Sequence, residues 1–271
     1  MNSPVSERTL IEAIRLSIEA GKAIMQVYAQ PFEVEYKEDH SPLTQADKVS
    51  NDVLSKGLTA TECKQILSEE MAEVPFSERK SWKSFWLVDP LDGTKEFVKR
   101  NGEFTVNVAL ITDGLPVFGI IYLPVHQMLY VGIKGQGAYR ILNAANKALP
   151  KNKEEFMKVA EKLPLAQAKR DYTIVASRSH MSPETEAFVA KEKEKHGQVQ
   201  LVSAGSSIKF CLVAEGKADA YPRYAPTMEW DTGAGHIIAE EIGKKVLRAD
   251  TNTPLTYNKE NLLNPYFLVT S

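Results

Sequence analysis

The sequence predicts an α/β protein in two parts: an α+β half over residues 1–150 and an α/β half over residues 151–271. Three observations predict it. Apolar residues recur at helical spacing near the start of the chain, a series of strand-like runs follows, and beyond residue 170 strand and helix patterns alternate.

From Ser6 to Ala29, the residues Leu10, Ile11, Ile14, Ile18, Ala23, Ile24 and Val27 keep helical spacing, and Pro31 stops the pattern. A second helix is expected from Thr44 through Val49, Val53 and Leu54. Phe85-Trp86-Leu87-Val88 reads as a short buried strand that ends abruptly in Asp89-Pro90-Leu91-Asp92-Gly93-Thr94. Thr105 to Thr112 and Leu115 to Tyr122 are strands joined at Asp113-Gly114, a hairpin signal. Leu129 to Ile133 and Gly137 to Ile141 form another pair about Gly135. The stretch from Asn143 to Lys169 is rich in Lys, Ala and Glu with weak periodicity, and reads as a connector. The alternating part follows: strand Thr173 to Ala176, helix Pro183 to Lys195, strand Val199 to Val202, helix Ser206 to Glu215, strand Ala218 to Tyr221 and helix Thr232 to Ile242.

With 271 residues the chain can bury a full core and needs no disulfide staples. Its two cysteines, Cys63 and Cys211, have neither paired nor metal-ligand spacing, so a reducing cytoplasm is expected. Met1 to Arg8 carry no apolar signal-peptide core, and no run approaches the ~18 apolar residues needed to cross a bilayer. Peripheral association with the inner membrane stays open. Thirty-three basic against 35 acidic residues give a net charge of −2, which argues against a nucleic-acid partner but not against a small anion. Monomer and homodimer are both compatible with the sequence.

The chemical signal is Asp89-Pro90-Leu91-Asp92-Gly93-Thr94. Two carboxylates stand three positions apart at a strand end, around a proline that fixes its own φ. If Leu91 turns its side chain to the core, its carbonyl is free to ligate a metal. Gly93 lets backbone approach a ligand, and Thr94 would open a helix whose N–H groups favour phosphate. Alone, such a motif is a tight turn with an Asp cap. Glu69-Glu70, 20 residues before Asp89, reads alone as a solvated acidic pair; Asp231, after Trp230, is equally an N-cap; Asp47, three residues after Thr44, belongs to a capping box. All four elements in one chain point to a divalent-metal site. The loop is not an EF-hand, and Gly135-Gln136-Gly137 and Gly233-Ala234-Gly235 lack the rest of a dinucleotide fingerprint.

Together, Asp89-Pro-Leu-Asp-Gly-Thr94, Glu69-Glu70 and Trp230-Asp231-Thr-Gly-Ala-Gly235 resemble the signatures of the inositol monophosphatase superfamily of metal-dependent, lithium-sensitive phosphatases, over almost the whole chain. Thr94-Lys95-Glu96-Phe97, Ser177-Arg178-Ser179-His180, Gly205 to Cys211 and Ala220-Tyr221-Pro222-Arg223 resemble its 3′(2′),5′-bisphosphate nucleotidase branch, the CysQ type. Inositol monophosphatases usually carry Asn where this chain has Glu96.

The resemblance implies a layered αβαβα sandwich of the sugar-phosphatase type, with the site between the halves. It implies two to three Mg²⁺ ions: Glu69, Asp89 and the Leu91 carbonyl hold the first, Asp89, Asp92 and Asp231 the second, and Glu69 with waters a weaker third. Thr94, oriented by Asp47, positions and deprotonates the attacking water, while Gly93 and Thr94 N–H groups hold the phosphate. His180, Ser206, Lys209 and Arg223 face the rest of the substrate, with Lys209 and Arg223 on a second phosphate. Singly, Lys209 and Arg223 read as solvated surface charges and His180 as a loop residue. Carboxylates, a carbonyl and a hydroxyl suit magnesium, which prefers hard oxygen ligands. The implied reaction is hydrolysis of the 3′-phosphate of adenosine 3′,5′-bisphosphate to AMP by direct attack of water. The sulfated nucleotide is a second candidate substrate, which would place the enzyme in sulfur assimilation. The alternatives are an inositol monophosphatase or broad sugar phosphatase on the same scaffold, and a non-catalytic phosphate- or metal-binding regulator.

Overall fold

In the computed structural model, residues 4–38, 40–166, 169–176 and 181–271 are described. The chain begins with α1 (Glu7–Tyr28), capped by the Ser6 hydroxyl, which accepts from the Thr9 N–H at 3.1 Å. A small hairpin of β1 (Val34–Tyr36) and β2 (Pro42–Thr44) leads into α2 (Gln45–Leu58), whose capping box joins Thr44 and Asp47. Then come β3 (Ile66–Ser68), α3 (Phe76–Arg79), β4 (Ser84–Asp92), α4 (Thr94–Val98) and the antiparallel strands β5 (Thr105–Thr112), β6 (Leu115–Leu123), β7 (Met128–Ile133) and β8 (Gly137–Ile141). The remainder comprises α5 (Lys153–Val159), β9 (Glu161–Lys162), β10 (Tyr172–Ala176), α6 (Pro183–His196), β11 (Val199–Ser203), α7 (Ile208–Ala214), β12 (Tyr221–Arg223), α8 (Glu229–Glu240), β13 (Lys245–Arg248) and β14 (Phe267–Thr270).

Strands β3 to β9 form a seven-stranded sheet in chain order, antiparallel throughout except that β3 runs parallel to β4. Helices α1 and α2 cover one face and α8 the other. Behind α7 and α8 lies a second sheet layer. It holds the pair β10-β11 and the trio β12-β14-β13, linked by a parallel bridge from Ile174 to Ala220, with α6 packed against it. The layer order is therefore helix, sheet, helix, sheet, helix, as the sandwich expectation requires.

Side-chain alternation divides the core. Trp86 and Val88 of β4 join the cluster beneath α1 and α2, whereas Phe85 and Leu87 join the cluster beneath α8. The α8 layer sits very close to the sheet because small residues face it. A Cβ at Gly119 would stand 2.8 Å from Cα of Ala234, and one at Gly132 would stand 2.8 Å from N of Ile238. That contact sets where the first turn of α8 ends up.

Four expectations change. The connector contains α5 and β9, and β9 extends the first sheet past residue 150. The strand placed at Ala218–Tyr221 is instead β12 at Tyr221–Arg223, because Ala220 is taken up by the bridge to Ile174. Helix α7 starts at Ile208, two residues after Ser206, which has a left-handed φ of 51°. Helix α8 starts three residues before Thr232, at Glu229, because the Asp231 carboxylate accepts the Met228 N–H at 2.9 Å.

Candidate metal centre and active site

Strand β4 carries the first two acidic residues. Phe85 and Leu87 point toward α8, so the alternation sends Asp89 to the same face. Strand β3 pairs with β4 in parallel register, Leu67 beside Leu87 and Ser68 beside Val88, and the Glu69 N–H continues the ladder to the Val88 carbonyl at 3.2 Å. Leu67 also lies in the α8-side cluster, so Glu69 leaves the sheet beside Asp89. Helix α8 crosses above both and brings Asp231 down in its first turn. Carboxylate oxygens of Glu69, Asp89 and Asp231 all lie within 4.8 Å of one another. Three residues remote in sequence thus meet at the strand ends.

The register between β4 and β5 slips between Asp89 and Asp92, a bulge that re-aims the strand end. Leu91 is 2 % exposed in the α1–α2 core. Asp92 stands beside the three-carboxylate group, within electrostatic reach of Asp89 and Asp231. Its Oδ2 accepts from the Ser207 N–H at 2.7 Å, Ser206 Oγ at 2.8 Å and Asn107 Nδ2 at 3.3 Å. These contacts tie β4 to the start of α7 across the seam between the two sheets.

Gly93 has φ 94°, a left-handed conformation that glycine adopts without strain, and it turns the chain into α4. The Thr94 hydroxyl, at the start of α4, lies 3.0 Å from Asp47 Oδ1 and 3.3 Å from the Leu91 carbonyl. The other oxygen of Asp47 accepts from the Thr44 N–H at 2.8 Å and its hydroxyl at 2.6 Å. The capping box is real, and it leaves one carboxylate oxygen of Asp47 for Thr94.

Burial, followed by the neighbouring carboxylates, holds Asp89 and Asp231 well above the usual range; Glu69 is also raised, mainly by burial. Burial likewise raises Asp47. A cluster of one buried and two half-buried acids that repel one another is suited to a cation. Among the described residues the cluster offers only oxygen donors, with no His or Cys, which fits a hard divalent ion.

Two cavities adjoin at the cluster. One, of about 500 Å³, is lined by Glu69, Asp89, Leu91, Thr94 and Asp231. The other, of about 310 Å³, shares Asp92, Gly93 and Asp231 with it and extends to Ser206, Lys209 and Arg223. Lys209 is not the solvated charge its sequence context suggests. It is 5 % exposed, and its ammonium donates to the Ser206 carbonyl at 2.6 Å and the Ala204 carbonyl at 3.2 Å. Burial lowers its pKa to about 8. Arg223 is half-buried, donates to the Pro226 carbonyl at 2.9 Å, and among the described residues its buried Nε has no hydrogen-bond partner. An orphaned guanidinium N–H at a cavity wall is suited to an anion. His180 and the rest of Ser177 to His180 lie outside the described residues.

Sequence reasoning missed Lys37, whose ammonium lies 2.8 Å from Glu69 Oε1 and 2.5 Å from Glu70 Oε1. It also missed Asn107 and Ser207, which hold Asp92 and each other (Ser207 Oγ to Asn107 Oδ1, 2.6 Å). Asn107, polar between Val106 and Val108 in an otherwise apolar strand, was the available signal. Nothing local marks Lys37.

Residues 6–266 match the inositol monophosphatase family. The chain is 43% identical over 265 residues to the 3′(2′),5′-bisphosphate nucleotidase CysQ of Salmonella typhimurium, covering 96% of this chain and 99% of that one. Against its namesake from Escherichia coli K12 the identity is 42%, over 96% of this chain and 98% of the other. The crystal structure of CysQ from Bacteroides thetaiotaomicron superposes with a TM-score of 0.89 at 47% identity, covering 98% of this chain and 97% of that one. SuhB from Bartonella henselae shares the fold alone, with a TM-score of 0.74 at 20% identity, over 97% of this chain and 94% of that one. Matched almost from end to end in sequence and in fold, this chain belongs to the inositol monophosphatase family.

Proposed function

We propose that the protein is a magnesium-dependent phosphatase that hydrolyses the 3′-phosphate of adenosine 3′,5′-bisphosphate, giving AMP and phosphate. The observation that carries this reading is the adjacency of an all-oxygen acidic cluster and a cavity walled by Lys209 and Arg223. A phosphate monoester of inositol needs only the acidic end. A nucleotide with two phosphates also uses cations beyond it. The relatives at 42–43% identity are themselves named 3′(2′),5′-bisphosphate nucleotidases.

In this reading Glu69, Asp89 and the Leu91 carbonyl would hold one ion, and Asp89, Asp92 and Asp231 would hold a second, with Glu69 contributing to a weaker third. When bound, such ions neutralise phosphate charge, acidify water and stabilise a leaving oxygen. The chain supplies orientation and a proton acceptor. Thr94 donates its hydroxyl hydrogen to Asp47 Oδ1, so its Oγ1 lone pairs face the cleft and accept from the attacking water. As that water loses its proton to Thr94 Oγ1, the Thr94 proton moves to Asp47, which burial has made more basic. Gly93 and Thr94 N–H groups hold the phosphate, and Ser206, Lys209 and Arg223 hold the remote part of the nucleotide, with His180 facing its base. No aspartyl phosphate is involved, since Asp89 is a ligand.

Among the described residues no helix is long and apolar enough to cross a membrane. Cys63 and Cys211 are both free, in keeping with a reducing, cytoplasmic setting. Phosphate release from adenosine 3′,5′-bisphosphate tests the function. AMP should appear with magnesium and cease with chelator; release that survives chelation, or none with magnesium, contradicts the reading.

A further inference from the structure

Outside the ligands proposed above, one cation is built into the acidic cluster. Lys37 sits at the turn between β1 and β2, fixed by its N–H to the Ser41 carbonyl at 2.9 Å and by its own carbonyl, which accepts from the His40 N–H at 2.9 Å. The next residues, Ser41 and Pro42, line the cleft with Glu69 and Asp89. The Lys37 side chain is three-quarters buried, and its ammonium bridges Glu69 (2.8 Å) and Glu70 (2.5 Å). Glu70 is the more buried of the two partners and is absent from the three-carboxylate group. Desolvation opposes the charge on Lys37, but the two carboxylates outweigh it and keep the amine protonated.

We propose that Lys37 is an internal competitor for divalent cations at Glu69, and that Glu70 is the berth to which its ammonium withdraws when Glu69 takes an ion. The inference rests on the metal-centre reading above. The physical basis is simple. The Lys37 ammonium takes up part of the donor capacity of Glu69 Oε1, and a positive charge so close in a half-buried site repels an incoming cation. Without a second anion, displacing Lys37 would leave an unpaired, desolvated ammonium; Glu70 removes that cost. Lys37 therefore makes occupancy at Glu69 weaker and more readily reversible than at a cluster without it.

The test is calorimetric titration of the full-length, metal-free protein with Mn²⁺ and Mg²⁺, without substrate. Wild-type protein that binds neither ion contradicts the metal reading and this inference together. With wild-type binding present, Lys37→Met should tighten the Glu69-dependent step about tenfold or more, and Lys37→Arg should leave it near wild type. Glu70→Gln should weaken the same step, and most of that loss should vanish in the Lys37→Met background. Thermal melting in chelator identifies the folded variants, and Lys37→Arg with Glu70→Gln supply the reading if Lys37→Met does not fold. Unchanged or weaker binding in Lys37→Met, or a Glu70→Gln loss equal in both backgrounds, overturns the inference while leaving the metal centre standing. So does unchanged binding in Glu70→Gln.

Discussion

Glu69 and Asp89 leave neighbouring parallel strands side by side, because Ser68 pairs with Val88 and the ladder runs one residue further. Both face α8, and Asp231 meets them from that helix. A two-residue adjacency in a sheet edge thus becomes one corner of a three-sided acidic site, set by register and closed by helix packing.

Asp89→Asn follows directly. The change keeps the shape but removes the charge at the centre of the cluster. Magnesium-dependent phosphate release should fall a hundredfold or more, equivalent to about 3 kcal/mol or more of transition-state stabilisation. Metal-free stability should be unchanged or higher, since a buried acid repelled by Glu69, Asp92 and Asp231 is neutralised. Rates at saturating magnesium and melting in chelator check both halves.

The hydrogen bond from Thr94 to Asp47 makes a separate prediction. Thr94→Ala and Asp47→Asn should each lower kcat by roughly 10²–10⁴, the usual range for losing general-base assistance. Neither should change KM more than a few-fold, because the backbone N–H groups and the Lys209 and Arg223 side chains proposed to bind substrate are untouched. A variant with raised KM and intact kcat would assign the pair to binding.

The pH dependence of metal-free stability has a definite sign. Asp89 and Asp231 have folded-state pKa values raised above the ordinary 3.8 by burial and mutual repulsion. Their protonated forms stabilise the fold fully below that ordinary value, and the contribution is lost as pH rises through the raised ones. The chelated protein should therefore lose stability as pH climbs from the acid range. On the proposed magnesium reading the ion binds the ionised forms, and it should widen the gap between loaded and chelated melting temperatures over the same interval.

Much of this was legible in the chain. The Asp89–Thr94 run, the hairpin at Asp113-Gly114 and the opening helix announce themselves by spacing, whereas Glu69 and Asp231, bland when taken alone, gain meaning only in combination with that run. Strands β1, β2, β3, β12, β13 and β14 are only three or four residues long, too short for a period to emerge. The beginning of α8 was hidden because Asp231 caps it from inside its first turn. Lys37 and Ser207 were invisible because their roles depend on partners 32 and 115 positions away. Taken singly Lys209 reads as a surface charge, and only the resemblance places it at the site, because nothing local shows that the carbonyls of Ala204 and Ser206 would bury it.

Lys209 also gives a kinetic signature. Burial lowers its pKa to about 8, so it carries charge below that pH and loses it above. If it holds the second phosphate, kcat/KM for the bisphosphate should decline above about pH 8 with an alkaline limb that Lys209→Met abolishes. A monophosphate substrate should show no such limb. An identical limb with both substrates would place the titration elsewhere.

The most direct measurement compares kcat/KM for adenosine 3′,5′-bisphosphate and inositol 1-phosphate at the same magnesium concentration. A cleft with Lys209 and Arg223 beyond its acidic end should favour the nucleotide by at least a hundredfold, as expected when a charged subsite is left unfilled. Equal rates, or preference for the inositol ester, would contradict the nucleotide assignment.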